Sequence, residues 1–135
     1  MKNQRFTGTP TNARFVPCPT TVLAGDLVLV GKEPACALNS YQSNSGGATF
    51  YFSGSFDGTV VGSSSHSPYT PVAVGPGDRL YASGTFDGTT NVTTALLISK
   101  TVADTEFGFL DPSYSAGILS GATDTAAPIR LGGGN

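Results

Sequence analysis

Few residues in this chain could carry out catalysis. His66 is the only histidine, so it is the one conventional base that titrates near neutrality, and it lies in the serine-rich segment 62–68. A catalytic triad also needs an activated nucleophile, and no G-x-S-x-G motif surrounds any serine. The only glutamates are Glu33 and Glu106, and nothing predicts that they form the opposed carboxylate pair of a glycosidase. The sequence therefore predicts no catalytic residue.

Phosphate and metal sites are also not indicated. Gly31 and Lys32 lack the upstream glycine of a P-loop, because Asp26 stands at that position, and Glu33 replaces the required Ser or Thr. Cys18 and Cys36 are the only cysteines, and a zinc site needs two further good ligands. We expect two reduced, buried thiols, with their pairing left open, and no cofactor and no metal.

The composition favours one all-β domain. The chain has 135 residues, of which 12% are charged, with 18 Gly and 9 Pro; a typical protein has about 25% charged residues. A net charge of −2 and a pI of about 5.0 argue against a nucleic-acid surface. No apolar run approaches the roughly 18 residues of a membrane helix, and the first residues lack the apolar stretch of a secretory signal.

The basic residues are concentrated at the start of the chain. Residues 1–14 contain Lys2, Arg5 and Arg14 and no acid, whereas the rest of the chain has four basic and nine acidic side chains. We interpret residues 1–14 as an extended basic arm in which Phe6 is the one aromatic residue, residues 15–131 as a single β-domain, and residues 132–135 as a flexible glycine tail.

Short apolar runs alternate with turn signals from residue 15 onward, which predicts a compact β-sandwich or barrel of short antiparallel strands. Strands are expected at 26–30, 34–38, 49–53, 91–98 and 128–131. The first of these is apolar on both faces, so it should be a central strand that is covered on both sides. Alternation places three phenylalanines on one face (Phe50, Phe52 and Phe56), and Val92, Thr94, Leu96 and Ile98 on one face of the longest run.

Gly-Asp and Asp-Gly pairs mark the turns. Residues 53–59 and 83–89 share the pattern SG-[ST]-FDGT, which predicts two equivalent hairpins with tight Asp-Gly turns. Gly-Asp pairs precede two further strands. The residues assigned to turns in this way are Gly25, Asp26, Asp57, Gly58, Gly77, Asp78, Asp87 and Gly88.

Five segments occur in an order that resembles a known family. They are AGDLVLVG at 24–31, ACAL at 35–38, VGPGDRLY at 74–81, FGFL at 107–110 and PIRL at 128–131. Together they resemble the small capsid cement (head decoration) proteins of tailed phages, over roughly residues 15–131.

This resemblance implies a structural protein of the virion without enzymatic activity. Such a protein binds the outer surface of the major capsid protein shell, bridges neighbouring capsomers and stabilises the head, often as a homotrimer at local three-fold positions. It is made in the bacterial host cytoplasm and contacts neither nucleic acid nor membrane. We expect the basic arm to contact the capsid through Lys2, Arg5, Phe6 and Arg14.

Two other functions remain open from the residues alone. A glycan- or host-surface-binding β-module of a phage structural protein is favoured by four tyrosines that could stack on sugars and by the polar loops 39–47 and 62–68. These tyrosines are Tyr41, Tyr51, Tyr69 and Tyr114. An enzyme that uses His66 as its base is the third hypothesis.

Overall fold

The computed structural model describes residues 13–61, 73–86, 88–100, 104–113, 118–120 and 123–131, and these residues form strands and turns without a helix. The all-β prediction is confirmed. The described residues contain nine strands, which are, in chain order, β1 (Ala13–Pro17), β2 (Leu27–Val30), β3 (Glu33–Ala37), β4 (Gly47–Tyr51), β5 (Ser55–Val60), β6 (Arg79–Phe86), β7 (Val92–Ser99), β8 (Thr105–Leu110) and β9 (Thr125–Leu131).

The strands form one sheet that closes on itself at one end. Their order is β1-β4-β3-β2-β7-β5-β9-β8-β6, and β6 also pairs with β7, which closes β7, β5, β9, β8 and β6 into a five-stranded barrel. The remaining four strands extend from β7 as a sheet with β1 at its edge. All pairings are antiparallel except β5 with β7, which run parallel through Val60 and Ile98.

Two apolar cores hold this arrangement. The barrel core contains Leu80, Phe107 and Ile129, and the outer core contains Val22, Ala48 and Phe50 on one face of the four-stranded extension. In β2, Val28 belongs to the outer core and the adjacent Leu29 to the barrel core. The prediction of a central strand covered on both faces is therefore confirmed for β2.

The two Gly-Asp pairs form the same turn. Gly25 and Gly77 have φ angles of 90° and 89°, the left-handed conformation that the third position of a type II turn requires. The aspartate side chain accepts a hydrogen bond from the backbone N–H three residues earlier, at 2.9 Å for Asp26 and 2.8 Å for Asp78. These bonds and the positive φ angles explain why Gly-Asp precedes both β2 and β6.

The two copies of the SG-[ST]-FDGT pattern do not form equivalent hairpins, so that prediction is wrong. Asp57 and Gly58 lie inside β5, where they pair with Pro128 and Ala127 of β9. In the second copy, β6 ends at Phe86 and Gly88 has a φ of 80°; Asp87 lies outside the described residues.

Packing explains why the first copy is a strand and not a turn. A Cβ atom at Gly58 would lie 2.5 Å from Leu27 Cδ1 and 2.9 Å from Ile129 Cδ1. Glycine at this position therefore lets two large side chains approach the backbone of β5, and its conformational freedom is not used for a turn. Tertiary contact here overrides the local preference of Asp-Gly.

A bulge at Ala95 divides β7 between the two cores. The pairing of β6 with β7 shifts register between Ser83 and Thr85, and Ala95 has a φ of 54°. One extra residue reverses the side-chain alternation. Val92 consequently packs in the outer core and Ile98 in the barrel core, so the prediction that residues 92, 94, 96 and 98 share one face is wrong.

The predicted row of three phenylalanines is also interrupted. Phe50 lies in the outer core and Phe52 packs against it, whereas Phe56 packs against the barrel core. β4 ends at Tyr51, and a bend that contains Gly54, with a φ of 109°, separates it from β5. The alternation therefore does not continue from Phe52 to Phe56.

The two cysteines are free and buried. Cys18 belongs to the outer core and Cys36 to the barrel core, on opposite faces of the extension. Burial raises the pKa of Cys18; burial, and then the nearby Asp26 carboxylate, raise the pKa of Cys36 to about 11.

Candidate functional site

The edge strand β1 is the first candidate for a contact with another protein. Among the described residues it pairs only with β4, with Phe15 opposite Thr49. A Cβ atom at Gly47 would collide with the Val16 carbonyl oxygen and lie 2.8 Å from Pro17 Cα, so glycine allows β1 to lie close against β4. An edge strand presents backbone N–H and C=O groups to its surroundings, and the predicted basic arm leads directly into it.

Arg14 belongs to the folded domain, which corrects its predicted place in the extended arm. It lies in β1 opposite Phe50, its guanidinium is 4.1 Å from the centre of the Phe52 ring, and its Nη2 is 3.4 Å from Glu33 Oε1. Strand pairing and the cation–π contact fix this side chain. The strand thus begins before the predicted domain start at residue 15, and Lys2, Arg5 and Phe6 lie outside the described residues.

The opposite face of β1 presents apolar side chains to solvent. Val16 packs against the outer core, so the adjacent Phe15 lies on the other face of the sheet, where 49% of it is exposed. Leu38, directly after β3, donates its N–H to the Thr49 carbonyl oxygen at 2.8 Å and is also 49% exposed. We call Phe15, Thr49 and Leu38 the distal face.

Exposure of this kind was not predicted from the sequence. Phe15 follows a basic residue and precedes a valine, which gives no signal for the direction of its side chain. The direction of the Leu38 side chain follows from the register of β3 with β4, which the bond from the Leu38 N–H to the Thr49 carbonyl oxygen continues by one residue past Ala37.

A second candidate is an acidic cleft between the turn before β2, the middle of β5 and the bulge in β7. The cleft has a volume of about 280 Å³ and is lined by Asp26, Asp57 and Ala95, among others. Asp26 already accepts the Leu23 N–H, so its carboxylate has a structural role in the turn. Asp57, predicted as a turn residue, is instead exposed on β5.

Asp111 is the centre of a hydrogen-bonded cluster on the barrel surface. Ser113 donates to its Oδ1 through both the hydroxyl (2.7 Å) and the backbone N–H (2.8 Å), and Ser55 donates to its Oδ2. The hydroxyl of Ser113, followed by that of Ser55, the Ser113 N–H and the charge of Arg130, lowers the pKa of Asp111 to about 2.

Asp78 is similarly stabilised as a carboxylate. The Gly75 N–H and then Lys100, whose Nζ lies 3.0 Å from Asp78 Oδ2, lower the pKa of this side chain. Lys100 also donates to the Ala73 carbonyl oxygen at 3.3 Å. The arrangement joins the turn before β6 to the end of β7, so its role is structural.

Two of the tyrosines considered for sugar stacking serve in packing. Tyr41 packs against the outer core, and the Tyr51 ring stacks on Phe56 with centroids 6.1 Å apart. Tyr69, Tyr114, His66 and the loop 62–68 lie outside the described residues.

Two general features, a cluster of metal ligands and a membrane-spanning helix, are absent from the residues that the structure describes. No cluster of three or more His, Cys, Asp or Glu side chains there is arranged to hold a metal ion. No helix in the same residues has the length and apolarity needed to cross a membrane.

Set against protein-family models, curated protein sequences and solved structures, this chain matches none of them.

Proposed function

We propose that this protein is a capsid cement protein of a tailed phage, which binds the outer surface of the major capsid protein shell and bridges neighbouring capsomers. The observation that carries the proposal is the exposed apolar distal face on the edge strand β1, into which the basic N-terminal segment leads. Aromatic side chains at the centre of an interface contribute much of its binding energy, and Phe15 offers such an anchor.

Charge supports the same function. Lys2 and Arg5 precede Ala13, the first residue of β1, by 11 and 8 positions in the sequence. Basic residues at the rim of an interface accelerate association with an acidic surface and make it sensitive to salt. A shell offers many equivalent sites, and a homotrimer at a local three-fold position binds several of them at once, which multiplies a weak single contact.

The sequence segments that resemble cement proteins support the scaffold more than the contact. Leu80, Phe107, Leu110 and Ile129 lie in these segments and are all buried in the barrel core. We expect the residues that contact a particular shell to lie outside these shared segments. The distal face fits this expectation, because Leu38, at the end of the segment 35–38, is its only residue within them.

Co-sedimentation with empty heads of the cognate major capsid protein tests the proposal. We expect the full chain to bind saturably and Phe15→Ala to weaken binding about 5-fold or more, because truncation of an aromatic anchor in an interface costs above about 1 kcal/mol. Leu38→Ala should weaken it less. Phe86→Ala is the matched control, since Phe86 is an exposed phenylalanine on the barrel strand β6 and is not part of the distal face.

A chain that lacks residues 1–12 should bind more weakly and with a shallower dependence on salt, because fewer exposed charges take part. Sedimentation velocity measures whether the free chain is a trimer. Failure of the folded full chain to bind the heads at any salt concentration contradicts the proposal, as does equal binding by Phe15→Ala and the unmodified chain.

A further inference from the structure

The open end of the barrel next to β6 and β7 contains a cavity of about 320 Å³. Leu80 and Ala82 lie on the inner face of β6, within the barrel core. Phe86 lies four residues beyond Ala82, on the same face by strand alternation. It is 59% exposed, so the inner face of β6 continues past the buried core to an aromatic ring at the rim.

Strand pairing places two threonine hydroxyls at the same opening. Thr93 of β7 is the register partner of both Phe86 and Leu29, and Leu29 belongs to the barrel core. Thr105 of β8 is the partner of Ala82. Partners in register share one side of a sheet, so both threonines face the mouth of the barrel, and both line the cavity.

The cavity therefore has an apolar floor and a polar rim. Leu29 and Ala82 form the floor, and Thr93, Thr105 and Asp104 supply two hydroxyls and a carboxylate around Phe86. Backbone is also accessible at Gly84, which is glycine because a Cβ atom there would collide with the Thr94 carbonyl oxygen. Apolar walls with a few convergent polar groups characterise small-molecule sites, which often occupy the mouths of β-barrels.

The chemistry of the rim selects the class of ligand. Within the described part of the chain, the residues that line this cavity include one carboxylate and no lysine or arginine, which disfavours a phosphate or a carboxylate ligand. A pyranose ring has an apolar C–H face that packs on an aromatic ring and hydroxyls that bond to carboxylates and threonines. The volume lies near the lower limit of about 300 Å³ for ligand pockets, which suits a single ring.

We propose that the barrel mouth formed by Phe86, Thr93, Asp104 and Thr105 binds one neutral sugar ring of a glycan, with the ring stacked on Phe86. This site is separate from the distal face, so sugar binding and head binding are independent properties of the chain. It also differs from the four tyrosines that the sequence indicated.

The test is a titration of the full ¹⁵N-labelled chain with the methyl glycosides of glucose, galactose, mannose and N-acetylglucosamine, followed by NMR. We expect at least one sugar to shift the amide signals of Gly31 and Gly84, which line the cavity, with a Kd of about 1 mM, the range for a ligand of this size. Phe86→Ala should weaken binding about 10-fold, and Phe86→Trp should retain it.

Controls separate this site from the proposed function. Phe15→Ala, which removes an exposed phenylalanine from the distal face, should leave sugar binding unchanged, and Phe86→Ala should leave head binding unchanged. Thr93→Val, which keeps the shape and removes the hydroxyl, should weaken sugar binding several-fold.

Three results overturn the assignment. One is the absence of saturable shifts at Gly31 and Gly84 with any of the four glycosides, and another is equal sugar affinity of Phe86→Ala and the unmodified chain. The third is a larger response of the same amides to inorganic phosphate than to any sugar, because it would show an anion site.

Discussion

Replacement of Ala95 by glycine tests the bulge that divides β7 between the two cores. Ala95 has a φ of 54°, the left-handed region in which the Cβ of an L-residue crowds the following carbonyl oxygen. Its side chain is exposed, so removal of the methyl group leaves no cavity in either core. Relief of backbone strain should therefore dominate the effect of Ala95→Gly.

The expected change in the free energy of unfolding is the difference between two backbone contributions, the strain at Ala95 and the conformational entropy of glycine. The left-handed conformation costs a residue with a Cβ about 1–2 kcal/mol, whereas the greater freedom of glycine in the unfolded chain costs about 0.5–1 kcal/mol. The midpoints of these two ranges give an increase of about 0.75 kcal/mol in the free energy of unfolding for Ala95→Gly. For a domain of this length, that corresponds to an increase in Tm of about 2–4 °C.

Urea denaturation at neutral pH measures this change, and the chain provides a matched control. Ala126 is exposed in β9, opposite Thr59, and its φ is not positive. Ala126→Gly should lower the free energy of unfolding by about 0.5–1 kcal/mol, so the same chemical change has opposite signs at the two positions. Destabilisation by both substitutions would refute the assignment of strain to Ala95.

The remaining predictions concern glycines, thiols and carboxylates. Gly58→Ala should lower the free energy of unfolding by about 1–3 kcal/mol through overpacking. A Cβ atom at Gly88 meets no atom within 4 Å, so Gly88→Ala should lower it by only about 1 kcal/mol, through the positive φ at this position. Equal losses for the two variants in urea denaturation would contradict this. The Cys36 thiol, with a pKa of about 11, should react with a disulfide reagent only as fast as the chain unfolds, whereas rapid labelling of the native chain would argue against its burial. The pKa values of Asp78 and Asp111 are lowered in the folded state, so their stabilisation is complete above the unfolded-state pKa of about 3.9 and is lost as the pH falls through the folded-state values. The urea midpoint should therefore decrease from about pH 4 toward about pH 2, and Asp111→Asn should make that decrease smaller.

The sequence predicted those features that depend on local chemistry. Gly25 and Asp26 form the expected turn because both the positive φ and the side-chain bond are properties of adjacent residues. The apolar run of β2 indicated a strand covered on both faces, since alternating polarity is lost when both sides are buried. Composition sufficed for the all-β class.

Features that depend on distant partners were not predictable in the same way. The pattern FDGT is a strand in one copy because Leu27 and Ile129 approach Gly58, and neither is near it in the sequence. The bulge at Ala95 has no glycine to signal it, so alternation assigned residues 92 to 98 to one face. At the distal face, the exposure of Phe15 depends on the barrel covering β2 and β3 and not β1, which only the topology shows.

The bulge also explains how one small sheet can present two separate surfaces. Before Ala95, β7 pairs with β2 through Val92 and Thr93 and contributes Val92 to the outer core; after it, Ile98 fills the barrel core. A regular strand would direct Val92 and Ile98 to the same side and leave one core without its contribution from β7. The extra residue thus allows the extension to have a core of its own. The distal face of the extension remains exposed because the barrel packs against β2 and β3 and not against β1.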